Sequence, residues 1–359
     1  MTGDTELPDV IADERGRLGL LTLNRPKALN ALTHAMVLLI SDALDRWADN
    51  DAISAVAVTG SGDRGLCAGG DVVGLYRDVT GADGKSAAAF WRDEYAMNAR
   101  IANYPKPFIA IQDGMVLGGG IGVSAHGSHR VVTERSKLGF PEVTIGFVPD
   151  VGASWLLSRA PGELGTRLAL SAETVGPADA ILVGFSDAFV PSDRIPAMLT
   201  ALETEQPSAA IATFAGQPEQ GVLAAQREWT DDVFGQSSVA LILDRLADQG
   251  TATASGLAEG IAKKSPLALA VTLEALRRAR GATSLEEVLD QDYRVSRHAS
   301  MTKDFAEGIR AQLIDKDRNP RWSPSELADV TDAEVAKFFA TPSDGELGLH
   351  ALLADGKSK

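Results

Sequence analysis

Three glycine-rich turns, each placed where a short apolar run ends, constrain this chain more than any other feature. Cys67-Ala68-Gly69-Gly70-Asp71 follows the run Ala55 to Thr59 and its turn GSGDRG. Gly114 and the triple Gly118-Gly119-Gly120 follow Phe108 to Gln112, and a third segment runs from Phe140-Pro141-Glu142 to Pro149-Asp150-Val151-Gly152. Glycines permit unusual dihedrals and close approach of backbone to a ligand, and a helix that starts just past them leaves N–H donors without intrahelical partners. Two such turns facing each other make a hole for a developing oxyanion, in which each donor contributes about 3 to 4 kcal/mol to catalysis.

The surrounding pattern is that of an α/β chain. Leu18 to Leu23 reads as a strand stopped by Arg25-Pro26, and Thr33 as the N-cap of a helix whose Met36, Leu39, Ile40, Ala43, Leu44 and Trp47 form a buried stripe. Helical stretches around 87–103 and from Gly119 onward follow the glycine turns, so strand, turn and helix alternate. Past about Pro207 the strand signals fade and helical ones dominate, notably Pro266 to Arg280 with its apolar Leu269, Leu273 and Leu276. We therefore expect a core over residues 1–205 and a mainly helical region over 206–359. Pro320, Pro324 and the polar run after Thr341 read as terminal loops and a frayed tail.

Composition excludes several classes. A net charge of -15 argues against nucleic-acid binding, which needs clustered Lys and Arg. The single cysteine, Cys67, allows no internal disulfide and no cysteine-rich zinc site, and with no His near it in sequence it reads as a buried filler. His126 and His129 have ligand-like spacing but no third donor beside them, so no metal is expected. The acidic N-terminus lacks the basic and apolar regions of a signal peptide, and no apolar stretch reaches the roughly 20 residues of a membrane span. A cytoplasmic protein is the expectation.

The segments Arg25-Pro26-Lys27-Ala28-Leu29-Asn30-Ala31-Leu32, Cys67 to Asp71, Gly118 to Gly120 and Pro141-Glu142, in this order and spacing, strongly resemble the crotonase (enoyl-CoA hydratase/isomerase) superfamily over about residues 17–200. The resemblance implies a spiral of ββα units with a C-terminal helical region, and an acyl-coenzyme A substrate that needs no further cofactor. It implies that the N–H groups of Ala68 and Gly119 bind the thioester oxygen, and that the coenzyme A chain lies along Lys27, Ala28, Gly70 and Asp71. It also implies a possible homo-oligomer.

Finer features point past the hydratases. A hydratase of this superfamily looks to carry a second glutamate three residues after the middle glycine of the triple, and here that residue is Gly122. Arg92-Asp93-Glu94-Tyr95, Thr133-Glu134-Arg135, the Ile145 to Gly152 segment and the distal Ile314 to Trp322 resemble instead the 3-hydroxyisobutyryl-CoA hydrolase subfamily, over nearly the whole chain. That resemblance implies substrate contacts at Glu94, Gly119, Glu142 and Asp150. Glu142 would attack the thioester or activate water, and Asp150 would position the 3-hydroxyl or a proton in transit.

Other readings stay open on sequence alone. The run Gly118 to Gly122 also suits close helix–sheet packing, and Gly120-Ile121-Gly122 a loose dinucleotide fingerprint. Glu94 reads equally as an exposed helix residue and Asp150 as a turn residue. The dienoyl-CoA isomerases of the superfamily look to place a Glu and an Asp at the positions of Glu142 and Asp150, and a crotonase-fold binding protein without activity is a third possibility.

Overall fold

The computed structural model describes residues 7–82 and 84–354. Nine strands alternate with helices in its first two-thirds: β1 (Val10–Arg15), β2 (Leu18–Leu23), β3 (Ala55–Gly60), β4 (Phe108–Gln112), β5 (Met115–Leu117), β6 (His129–Val132), β7 (Lys137–Gly139), β8 (Thr174–Val175) and β9 (Ala188–Phe189). A six-stranded sheet has the order β1-β2-β3-β4-β6-β9, with β1 antiparallel to β2 and the other neighbours parallel. A smaller sheet joins β5, β7 and β8. Segment 65–67 runs beside β5, through bridges from Gly65 to Gly114 and from Cys67 to Val116. Each turn of the chain thus places one strand in the large sheet and one stretch beside the small one before entering a helix.

The central strands are buried on both faces, and their side chains alternate as the pleat demands. Val56, Val58, Phe108 and Ala110 face the main core, whereas Ala55, Ala57, Ile109 and Ile111 face a second core closed by the helices Ile195–Ala201 and Pro207–Phe214. Helix α1 (His34–Ala48) starts where Thr33 accepts the Met36 N–H at 3.2 Å. Its stripe buries Met36, Val37, Ile40, Ala43, Leu44 and Trp47, but Leu39 is 39% exposed, because it sits about 100° round the helix from the centre of that face.

Helix α2 (Val72–Gly81) and α3 (Lys85–Ala102) follow the first glycine turn, α4 (Gly119–Ala125) follows the second, and α5 (Ala153–Ser158) follows the third. The predicted boundary between 205 and 206 falls in the turn between Ile195–Ala201 and Pro207–Phe214. Beyond it, helices over 223–279 make a third apolar cluster that includes Val143 and Leu170. Helices Pro266–Ala279 and Leu285–Ala299 also send Val271, Leu276, Leu289 and Tyr293 into the main core, which both regions therefore share.

The tail is a correction to the sequence reading. Up to its last described turns it is tied down, because Asp344 pairs with Arg297 and Glu346 with Arg294, while Asp290 accepts the Leu349 and His350 N–H groups. Charges that looked solvated in the sequence find partners on one helix, Leu285–Ala299.

Candidate active site

The three glycine turns and one face of α3 close around a cavity of about 330 Å³. Gly69, with φ of +103°, turns the first segment sharply, and Gly118, with φ of +48°, turns the second into α4. Both turns line the cavity, as do Glu94, Glu142 and Asp150. The rest of the wall is largely apolar: Val72 and Leu75 from α2, Trp91 stacked on Phe147 with ring centroids 5.7 Å apart, and Phe305 and Leu313 from the C-terminal region.

The donors are not quite those expected. The Ala68 N–H is taken by the Leu29 carbonyl at 3.0 Å, which corrects the reading that left it free for a ligand. Leu32 pairs with Gly70 as an isolated parallel bridge, through the Gly69 carbonyl and the Asp71 N–H, so the Gly70 N–H itself points the other way. It points toward Gly119: the Gly70 nitrogen is 3.3 Å from where a Cβ on Gly119 would lie. Gly119 is the first residue of α4, a position with no intrahelical acceptor for its N–H. The pair of facing donors is therefore Gly70 and Gly119.

The remaining coenzyme A candidates are not part of the cavity lining. Lys27 and Ala28 form an exposed turn of 3-10 helix, Pro26–Ala28. Asp71 caps α2 through the Gly74 N–H and takes a hydrogen bond from Arg25 Nη2 at 3.3 Å.

Glu142 opens a one-turn 3-10 helix, Glu142–Ile145, whose Val143 anchors in the third apolar cluster. Its Oε2 is buried without a hydrogen-bond partner, and so is Oε1 of Glu94. Both carboxyls are held well above the ordinary range, first by burial and then by the Asp150 charge, and Glu94 also by Glu142. Asp150 is different. Burial pushes it up to about 7, but the Tyr95 O–H, donated to its Oδ2 at 2.5 Å, opposes that rise. Of the three it gives up its proton most readily, and a cluster of this kind cannot carry three charges near neutral pH.

The turn after Asp150 is strained and braced. Val151, a β-branched residue, has φ of +54°, a conformation that costs on the order of 1 to 3 kcal/mol. Its carbonyl accepts the Nε2 proton of half-buried His126 at 2.8 Å, and the next N–H, of Gly152, is donated to Asp292 Oδ2 at 2.8 Å. His126 closes α4 and its imidazole is lowered to about 4 by burial, so it braces the turn as a neutral donor. Among the described residues no group of three His, Cys, Asp or Glu side chains could hold a metal. Cys67 is fully buried and pushed up to about 12 by desolvation, which leaves it an inert thiol.

Gly122 is closed to a side chain. A Cβ there would lie 2.7 Å from Val151 Cβ and 3.1 Å from Asn98 Nδ2, so no second glutamate fits in α4 and the carboxyl beside Glu142 comes from the following loop.

Sequence reading missed several contributors. Tyr95 carried a signal, since Trp91, Glu94, Tyr95 and Asn98 share one helix face at i, i+3, i+4 and i+7 spacing. Asp292, Ser296, Phe305 and Leu313 carried none, because they reach the site from far along the chain: Asp292 lies 140 residues beyond Gly152 and Ser296 lies 201 beyond Tyr95. No helix among the described residues is long and apolar enough to cross a membrane.

Comparison with known proteins agrees with this geometry. The family model for enoyl-CoA hydratase/isomerase matches residues 18–339. The mitochondrial 3-hydroxyisobutyryl-CoA hydrolase of Danio rerio is 37% identical over 352 residues, covering 95% of this chain and 92% of that protein. A solved structure described as a carnitinyl-CoA dehydratase from Mycobacterium thermoresistibile superposes with a TM-score of 0.92 at 49% identity, covering 95% of this chain and 98% of that one. A solved enoyl-CoA hydratase from Rhodobacter sphaeroides gives 0.90 at 40% identity, covering 95% and 99%. With its spiral of paired strands and helices and its facing glycine turns, the chain belongs to the enoyl-CoA hydratase/isomerase, or crotonase, family.

Proposed function

We propose that this chain hydrolyses a 3-hydroxyacyl-CoA thioester, 3-hydroxyisobutyryl-CoA or a close analogue, to the free acid and coenzyme A, as in valine breakdown. The observation that carries the proposal is the carboxyl arrangement. Where a hydratase of the family would need a second glutamate, Gly122 is packed against Val151, and the second carboxyl is instead Asp150. The hydrolase name of the Danio rerio relative supports the same reading.

In the proposed reaction the thioester oxygen accepts the Gly70 and Gly119 N–H groups, whose dipoles are strong in a cavity with apolar walls. The resting charge sits on Asp150, the first of the carboxyls to ionise. Asp150 takes the Glu142 proton as substrate displaces water. The Glu142 carboxylate then removes a proton from the attacking water, and the tetrahedral oxyanion collapses with loss of the coenzyme A thiolate. Asp150 returns its proton to that sulfur, which restores both carboxyls and releases one acid and one thiol. Glu94 binds the hydroxyl end of the acyl group. The exposed turn at Lys27 and Ala28 holds the nucleotide end, and no further cofactor is involved. A reducing compartment, the cytoplasm, and self-association of the chain complete the proposal; the mitochondrial designation belongs to the Danio rerio protein.

A second reading is double-bond chemistry on an acyl-CoA, favoured by the dehydratase and hydratase descriptions of the two solved relatives. One assay separates them: purified protein is incubated with 3-hydroxyisobutyryl-, 3-hydroxypropionyl- and enoyl-CoA while free thiol and enoyl absorbance are followed. Hydrolysis gives thiol with no enoyl change. Enoyl change without thiol overturns the proposal in favour of the second reading, and neither response leaves a binding protein. Glu142→Gln is expected to abolish thiol release while acyl-CoA binding, measured calorimetrically, persists; retained turnover would remove Glu142 from its role.

A further inference from the structure

The helix Leu285–Ala299 reaches the site at two points. Asp292 holds the Gly152 N–H, and one turn later the Ser296 Oγ lies 2.7 Å from the Tyr95 hydroxyl, which itself stands 2.5 Å from Asp150 Oδ2. Tyr95 and Ser296 are both fully buried. A phenol has one proton to give, and the carboxylate takes it, so the phenolic oxygen accepts from Ser296. Asp150 lines the cavity with Oδ2 committed in this way, which leaves Oδ1 for the substrate.

We propose that Tyr95, held in place by Ser296, is a positioning residue that fixes the orientation of the Asp150 carboxylate and favours its ionised form. The inference rests on the hydrolase reading of the site. It gives the C-terminal region a part in the chemistry: a residue of the late helix Leu285–Ala299 fixes a tyrosine of α3, which fixes an aspartate of the third turn.

The groups around Asp150 give the tyrosine its weight. From α3 Glu94 faces it, from the 3-10 turn Glu142, and from Leu285–Ala299 Asp292, all three of them carboxyls raised by burial and by the Asp150 charge. At the end of α4 His126 is half-buried and, with its imidazole lowered to about 4, neutral. No cation stands among these neighbours, and the Tyr95 O–H is the side-chain donor that stabilises the Asp150 anion.

Tyr95→Phe keeps the ring and deletes the donor; Ser296→Ala keeps Tyr95 and deletes its support. Two readouts apply. The first is the carboxyl titration of the substrate-free protein by infrared difference spectroscopy, with the Asp150 band identified by its loss in Asp150→Asn. The second is kcat and KM for thiol release across pH 5 to 9. In Tyr95→Phe the Asp150 titration is expected to move up by roughly one pH unit. In the same variant kcat at pH 7 should fall about fivefold, recover as pH rises, and leave KM little changed. Ser296→Ala should shift the titration in the same direction by less. An Asp150 titration that does not move in Tyr95→Phe, or a kcat lowered equally at every pH, overturns the proposal. Should Tyr95→Phe not fold, Ser296→Ala carries the same two readouts, and no shift there overturns it. A wild-type protein that releases no thiol would instead refute the hydrolase reading, and the infrared titration, which needs no substrate, tells that failure apart from this one.

Discussion

Asp150 is 6% exposed, and its charge state is set first by that burial and then by the Tyr95 hydrogen bond that opposes it, rather than by the residue alone. The cost of burying it is readable as a pH dependence of stability. In the unfolded chain an aspartate loses its proton near pH 4, while in the folded protein Asp150 keeps it to about 7. Below the first value both states are protonated and nothing is lost. As pH rises between the two, the unfolded state releases a proton that the folded state retains, and stability falls by at most about 4 kcal/mol. Asp150→Asn cannot ionise and still accepts from Tyr95. It should therefore be more stable than wild type in urea unfolding at pH 7.5, with the difference shrinking toward pH 4. A difference independent of pH would show that Asp150 does not titrate with folding. The same scale explains Ala68: a residue pattern identifies a glycine turn, but which N–H in it is free depends on whether the Leu29 carbonyl lies 3.0 Å away.

Helix α4 and the turn Pro149 to Gly152 fit each other at one contact, Gly122 against Val151. The glycine here answers a packing requirement and, by excluding a side chain, decides where the second carboxyl comes from. Gly122→Ala is expected to cost about 1 to 3 kcal/mol in denaturant unfolding, the range for overpacking a tight site. An unchanged stability would mean that the strained Val151 turn yields, which its His126 and Asp292 hydrogen bonds oppose. Helix α3 is the element that turns a linear motif into a site, since one of its faces supplies Trp91, Glu94 and Tyr95 together.

For the molecule as a whole, the distal segment Ile314 to Trp322 is the feature whose structure departs furthest from a simple terminal loop. Arg310 gathers Glu307, Asp315 and Asp317 at 2.7 to 2.8 Å, Glu307 also accepts the Arg321 N–H, and Trp322 donates to the Lys263 carbonyl at 2.9 Å. This holds the loop next to Gln312 and Leu313, which line the cavity. The ion pairs are partly exposed and contribute little to global stability. Arg310→Ala should accordingly leave the thermal midpoint nearly unchanged while trypsin cuts after Arg318 or Arg321 much faster than in wild type. Equal cleavage rates would show that the loop is ordered by other contacts.

The sequence by itself determined the alternation of strands and helices, the buried stripe of α1 and the three glycine turns, because these rest on local period, local dihedral needs and short spacing, whereas the carboxyls Glu142 and Asp150 were singled out by family resemblance. Only the tertiary structure decided that Gly70 rather than Ala68 faces Gly119, that Gly122 has no room for a side chain, and that Tyr95, Ser296 and Asp292 converge on one turn. Those outcomes depend on which backbone groups and which buried surfaces meet across long stretches of chain, and no local pattern of residues carries that information.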